Sequence, residues 1–248
     1  MAKVVLVHGA FNELWGPNEI AGRWVPALRD GLWHAGADID PSEVAVAFYG
    51  DLFRHDPTVG APTDLDRIAS DMGLVDLAQQ VQGPGGLEAI AKAIGQATFD
   101  RMLDQVGRYF DSSDTRAAVR ERVATAITDD TEVVVAHSMG TIVTYEVLSV
   151  RTAPPVHLVT IGSPLGGPFV SSKLEPQPNG LPAGVRSWTN VAAAGDMACL
   201  NPQLAKSFGE LVVDLTIDNG HRAHDPEPYL NAAATGRAIA TALGTAST

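Results

Sequence analysis

The chain has 248 residues, a formal net charge of −12, and 45% apolar against 19% charged residues. That length and balance suit one hydrophobic core, and the negative charge argues against nucleic acid and anionic membranes as partners, since both require a cationic surface. A single cysteine, Cys199, excludes an intrachain disulfide and a cysteine-rich metal site, and it reads as a packed thiol.

Lys3 leads directly into an apolar strand pattern rather than a secretory leader, and no apolar run has the length of a membrane span, so the expected location is cytoplasmic. Strand-length runs at residues 3–7, 43–49, 132–136, 157–161, 187–192 and 211–217 are mostly rich in Val and Ile, as strands buried on both faces require. The run at 187–192 is the least regular of them. Helical patterns at 18–33, 140–150 and 228–243 alternate with these runs, with Pro228 suiting a first helical turn. The expected fold is therefore α/β, a mostly parallel central sheet with helices on both faces, in a single domain over 1–248.

Residues 54–128 break the alternation with three helical patterns, at 64–81, 86–110 and 115–127, the first two separated by the Gly83–Gly86 cluster. Such a helical insertion has two placements. It can cap the carboxyl edge of the sheet, which its length favours, or its helices can be ordinary crossovers packed on a sheet face. Met72, Phe99, Met102, Leu103 and Phe110 would line an apolar lid in the first case and belong to the core in the second. Residues 162–184, rich in Gly, Pro and Ser, read as a long surface loop.

The strongest local signal is Val133-Val134-Val135-Ala136-His137-Ser138-Met139-Gly140, followed at once by a helical pattern. Strand, tight turn with a central serine, then helix is the arrangement that raises a hydroxyl above a sheet. Small residues two before and two after the serine are needed because strand and helix nearly touch. Gly140 supplies the second; Ala136 stands where the usual pattern has glycine. The helix start also aims backbone N–H groups at an oxyanion formed beside the serine.

This elbow, with Val7-His8-Gly9-Ala10-Phe11 near the amino terminus, resembles the α/β-hydrolase superfamily, and in particular its small bacterial esterases, lipases and thioesterases. The resemblance covers nearly the whole chain in element order and is least constrained over 54–128. It implies a serine hydrolase in which Ser138 is the nucleophile and the N–H groups of Ala10 and Met139 form the oxyanion hole. It also implies the chain order serine, acid, histidine. The base then comes from Asn219-Gly220-His221-Arg222-Ala223-His224, where an Ala-His pair shortly before Tyr229-Leu230 favours His224, with His221 the alternative. Asp196, in the Ala194-Gly195-Asp196 turn after a strand, stands where the acid is expected; Asp214 and Asp218 compete with it, and a turn-capping role for Asp196 is the plain alternative. His157 sits at the wrong end of its strand. His8 is expected to shape the oxyanion loop, and Ser163 to line the rim.

The expected substrate is a small-molecule ester or thioester, with a lipophilic acyl group if the insertion is a lid, and no cofactor or metal is called for. The same scaffold also serves lyases and cyclases that use a serine–histidine pair for proton transfer, and non-catalytic ligand receptors.

Overall fold

The computed structural model describes residues 2–54, 96–199 and 201–246. Six strands, β1 (Val4–Val7), β2 (Val44–Ala47), β3 (Val133–His137), β4 (Val156–Ile161), β5 (Val185–Ala193) and β6 (Val212–Ile217), form one sheet in the order β2-β1-β3-β4-β5-β6. Every pairing is parallel, so the carboxyl ends of all six strands lie along one edge. The helices among the described residues are α1 (Pro17–Trp33), α2 (Gln96–Asp111), α3 (Ser113–Ala126), α4 (Met139–Ser149), α5 (Pro168–Lys173), α6 (Ala205–Phe208), α7 (Pro226–Asn231) and α8 (Ala233–Ala242).

Alternate strand side chains point to opposite faces, and each face has its own core. Val5, Val7, Val134, Ala136 and Trp188 meet α3 and α4 on one side. Val4, Leu6, Val133, Val135 and Ile161 meet α1, α7 and α8 on the other. The chain leaves β1 through α1 toward β2, and leaves β3 through α4 on the opposite face toward β4. Between β1 and β3 the connections therefore diverge, opening the crevice in which doubly wound sheets place their ligands.

Several expectations change in detail. The irregular run at 187–192 belongs to the longest strand, β5, because its polar side chains find partners inside the sheet: Asn190 accepts a bond from Thr160 Oγ1 at 2.9 Å and donates to Asp214 Oδ1 at 2.9 Å. The helix expected over 228–243 is two, broken at Ala232 (ψ 136°) so that both pieces pack along α1, and Pro226 rather than Pro228 starts the first. The loop over 162–184 contains the short α5.

The insertion divides. Val119 and Val123 of α3 are fully buried against the sheet core, so the carboxyl-terminal part of the expected cap is a crossover helix on a sheet face. Phe110 packs against that same core. α2 reaches the loop after β1. The pattern expected at 64–81, with Met72, and the side chains of Phe99, Met102 and Leu103 lie outside the described residues. No helix among the described residues is long and apolar enough to cross a membrane.

α4 is buried along nearly its whole length, including Glu146 at 0% exposure. A buried carboxylate is tolerable only when paired and hydrogen-bonded. Glu146 meets both conditions: Tyr109 Oη donates to its Oε2 at 2.5 Å, Glu175 N to its Oε1 at 3.0 Å, and Arg116 forms an ion pair with it. This cluster ties α2, α3 and α4 together. Glu146→Ala leaves Arg116 and Tyr109 without their shared acceptor, and the expected loss is about 3 kcal/mol in urea unfolding; Glu146→Gln, which keeps an acceptor, loses less.

Candidate active site

Ser138 lies between the end of β3 and the first residue of α4 with φ 54° and ψ −130°. A serine resists this backbone region by roughly 1–3 kcal/mol, so the surroundings must hold it there. Ser138 N donates to Ile161 O at 3.1 Å, and Thr141 donates to Ser138 O through both N (2.9 Å) and Oγ1 (2.7 Å). Glycines on two sides make the fit possible. A methyl group on Gly140 would stand 2.4 Å from His8 O, and one on Gly9 would stand 2.7 Å from Ser138 Cβ and 3.2 Å from its Oγ. Ala136, in place of the usual glycine, buries its methyl in the sheet core. Ala10 and Met139 are the next residues along the chain from this Gly9–Ser138 contact, and the N–H of Met139, which opens α4, has no partner within the helix.

From the turn before α7, His224 Nε2 comes 2.9 Å from Ser138 Oγ. Its Nδ1 lies 2.9 Å from both carboxylate oxygens of Asp196, which sits in the turn after β5. A carboxylate only accepts, so Nδ1 carries the proton donated to Asp196 and Nε2 is free to accept from the serine hydroxyl. Asp196 accepts further bonds from Tyr229 Oη at 2.6 Å and Ala198 N at 2.9 Å. Burial pushes the Asp196 carboxyl toward the neutral form, but the bonds from His224, Tyr229 and Ala198 outweigh it and hold the group below the ordinary carboxylate range. The arrangement can therefore take a proton from Ser138 Oγ and hold the resulting imidazolium beside an anion.

The other expected residues fall elsewhere. His221 is exposed in the 3-10 turn Gly220–Arg222. Asp214 accepts from the backbone N–H groups of Leu204 and Ala205, and Asp218 accepts from Gly220 N. His157 Nδ1 is 2.7 Å from Ser187 Oγ. Ser163 does not line a rim: it is buried at 2% exposure, 2.9 Å from Thr141 Oγ1, because the chain after β4 turns beneath the elbow. Cys199 is buried beside Asp196, where burial and the neighbouring carboxylate raise its thiol and keep it protonated. Among the described residues no cluster of His, Cys, Asp or Glu is arranged to hold a metal ion.

Two supporting residues carried no assignment in the sequence. Tyr229 bridges Ala193 N, which donates to its Oη at 2.8 Å, and Asp196, so the start of α7 is bolted to the end of β5. His137 Nε2 donates to His224 O at 2.9 Å and fixes the loop that carries His224 to the end of β3. A buried ring beside Ser138 was legible as a residue but not as a contact across 87 positions.

His8 plays the matching part at β1. Its Nδ1 donates to Gly9 O at 2.7 Å, while Nε2 accepts from Tyr49 N at 3.1 Å. Burial holds His8 down to about 4 and His137, with His224 beside it, down to about 3, against 6.5 for a free imidazole. Both rings stay neutral in the folded chain, whereas unfolded histidines take up protons near 6.5. Their contribution is fully present above pH 6.5 and declines as pH falls toward 4, by about 1.4 kcal/mol per pH unit for each ring. The urea midpoint is expected to drop clearly between pH 7 and pH 5, with net proton uptake on unfolding; a midpoint flat across that interval contradicts neutral burial. No protein-family model, curated protein or solved structure matches the chain.

Proposed function

We propose that the protein is a serine hydrolase of the α/β-hydrolase type that cleaves a small-molecule carboxylic ester or thioester. One observation carries the reading: a serine hydroxyl on a strained strand-to-helix turn stands 2.9 Å from an imidazole whose other nitrogen stands 2.9 Å from a buried carboxylate. The parts follow three separate strands, β3, β5 and β6, at the sheet's carboxyl edge, which argues against a chance contact between neighbours in sequence.

In this mechanism Ser138 Oγ attacks the carbonyl carbon as its proton passes to His224 Nε2, while Asp196 accepts from Nδ1–H and balances the charge. The carbonyl oxygen becomes an oxyanion that takes hydrogen bonds from the N–H groups of Ala10 and Met139, each such donor lowering the barrier by about 3 kcal/mol. Collapse breaks the bond to the alcohol or thiol, which leaves with the proton from Nε2. Water then attacks the acyl-serine, His224 takes its proton, and the acid departs as Ser138 regains a hydrogen. Every proton removed is returned, so the protein groups alone suffice for the cycle.

A fluorophosphonate probe should label the wild type and fail to label Ser138→Ala. On p-nitrophenyl esters a burst of one equivalent is expected, and His224→Ala should lose about 10³-fold or more in kcat/KM while His221→Ala stays within about threefold. An unlabelled wild type would sink the hydrolase reading, and an inactive His221→Ala beside an active His224→Ala would move the base to His221.

A further inference from the structure

The residue after Ala10 is in an unusual state. Phe11 has φ 69°, the left-handed region that a bulky side chain avoids, so the loop after β1 does not hold this shape by local preference. Its shape is set by bonds to each peptide plane around Ala10. Gly9 O accepts from His8 Nδ1 at 2.7 Å and from Asn12 Nδ2 at 3.1 Å. Because the peptide unit is planar and trans, fixing that carbonyl fixes the N–H of Ala10 on the opposite side of the same plane. On the next plane, Ala10 O accepts from Asn12 Nδ2 at 2.9 Å, and Phe11 N donates to Gln105 Oε1 at 3.1 Å.

Gln105 is the anchor that comes from a separate helix. It sits on α2, 94 positions from Phe11, and is itself buried at 4% exposure. Its amide is oriented rather than free: Nε2 donates to Glu13 Oε2 at 2.7 Å, and Glu13, 5% exposed, forms an ion pair with Arg101, one turn earlier on α2. A carboxylate can only accept, so Glu13 forces the NH₂ of Gln105 toward itself and leaves Oε1 facing Phe11 N–H. Arg101, Glu13, Gln105 and Phe11 thus form one ordered chain from α2 to the loop lying against Ser138.

We propose that Gln105, oriented by the buried carboxylate of Glu13, is a positioning residue that holds the Ala10 N–H in line for the oxyanion, so that α2 of the insertion is part of what makes the hydrolase competent. This rests on the hydrolase reading above. An oxyanion donor acts on the transition state more than on bound substrate, so misplacing it lowers kcat with KM little changed.

The test exchanges the two side chains in the full-length protein. Gln105→Glu still offers an acceptor to Phe11 N–H but sets a carboxylate against Glu13; adding Glu13→Gln restores a donor–acceptor pair with the same total charge. Rates are measured on p-nitrophenyl butyrate and normalised to sites titrated with a fluorophosphonate, so that any unfolded fraction drops out. Gln105→Glu is expected to lose tenfold or more in kcat per titrated site with KM within about threefold. The double variant should recover most of that loss, and Gln105→Ala should exchange the Phe11 amide hydrogen at least tenfold faster than wild type. Wild-type kcat in Gln105→Glu, or a double variant as slow as the single one, overturns the positioning role, as does unchanged Phe11 exchange in Gln105→Ala. A wild type that the fluorophosphonate leaves unlabelled overturns the hydrolase reading and this role together, which separates the two failures.

Discussion

The turn at Ser138 has no space for a side chain at Gly140, where a methyl would press within 2.4 Å of the His8 carbonyl, and the rest of the site depends on that crowding. α4 and the end of β1 meet at backbone distance, which is what pins a serine at φ 54° and prevents it from relaxing into an ordinary helix start. The same contact brings the loop after β1 against the serine, because Gly9 is the residue that faces it. Strain at one position and close packing at two glycines are a single arrangement seen from three sides.

Around that turn the polar groups are arranged by acceptor and donor capacity. Asp196 only accepts, and it collects bonds from an imidazole, a phenol and a backbone amide. Those three donors explain why the carboxyl of Asp196, 6% exposed, lies below the ordinary carboxylate range although burial pushes it up. His8 and His137 are buried too, but uncharged: each donates its N–H to a backbone carbonyl of a site loop. Two neutral rings fix backbone on either side of the partly exposed His224 and Ser138 pair.

The stretch that interrupts the strand–helix alternation has two kinds of work within its described part. α3 supplies Val119 and Val123 to the sheet core and Arg116 to the buried Glu146, which makes it a crossover in the ordinary sense. From adjacent turns of one face, α2 gives Tyr109 to that buried cluster and Gln105 to the loop beside Ser138. A core anchor one helical turn from the site contact can hold that contact rigid. The place of α2 in the chain, between β2 and β3 on either side of β1, is what allows it to reach the loop after β1.

Much of this was legible from residue order alone. Apolar runs of strand length located all six strands within about two residues, because a strand buried on both faces has little freedom in composition. The Ala136-His137-Ser138-Met139-Gly140 run marked the turn, since few sequences need small residues on both sides of a serine between strand and helix. The position of β5 in the sheet was not legible in this way, because the partners that make Asn190 acceptable inside it lie on β4 and β6. Nor was the break at Ala232, which no residue type announces. By itself the sequence determined the α/β alternation, the serine on its turn, and a short choice of acids and bases near later strand ends. Only the tertiary structure decided among them: it set His224 rather than His221 beside Ser138 and joined Tyr229 to Asp196 and Gln105 to Phe11. These contacts span tens of residues, and local composition carries no record of which distant donor meets which acceptor until the sheet has aligned its carboxyl ends.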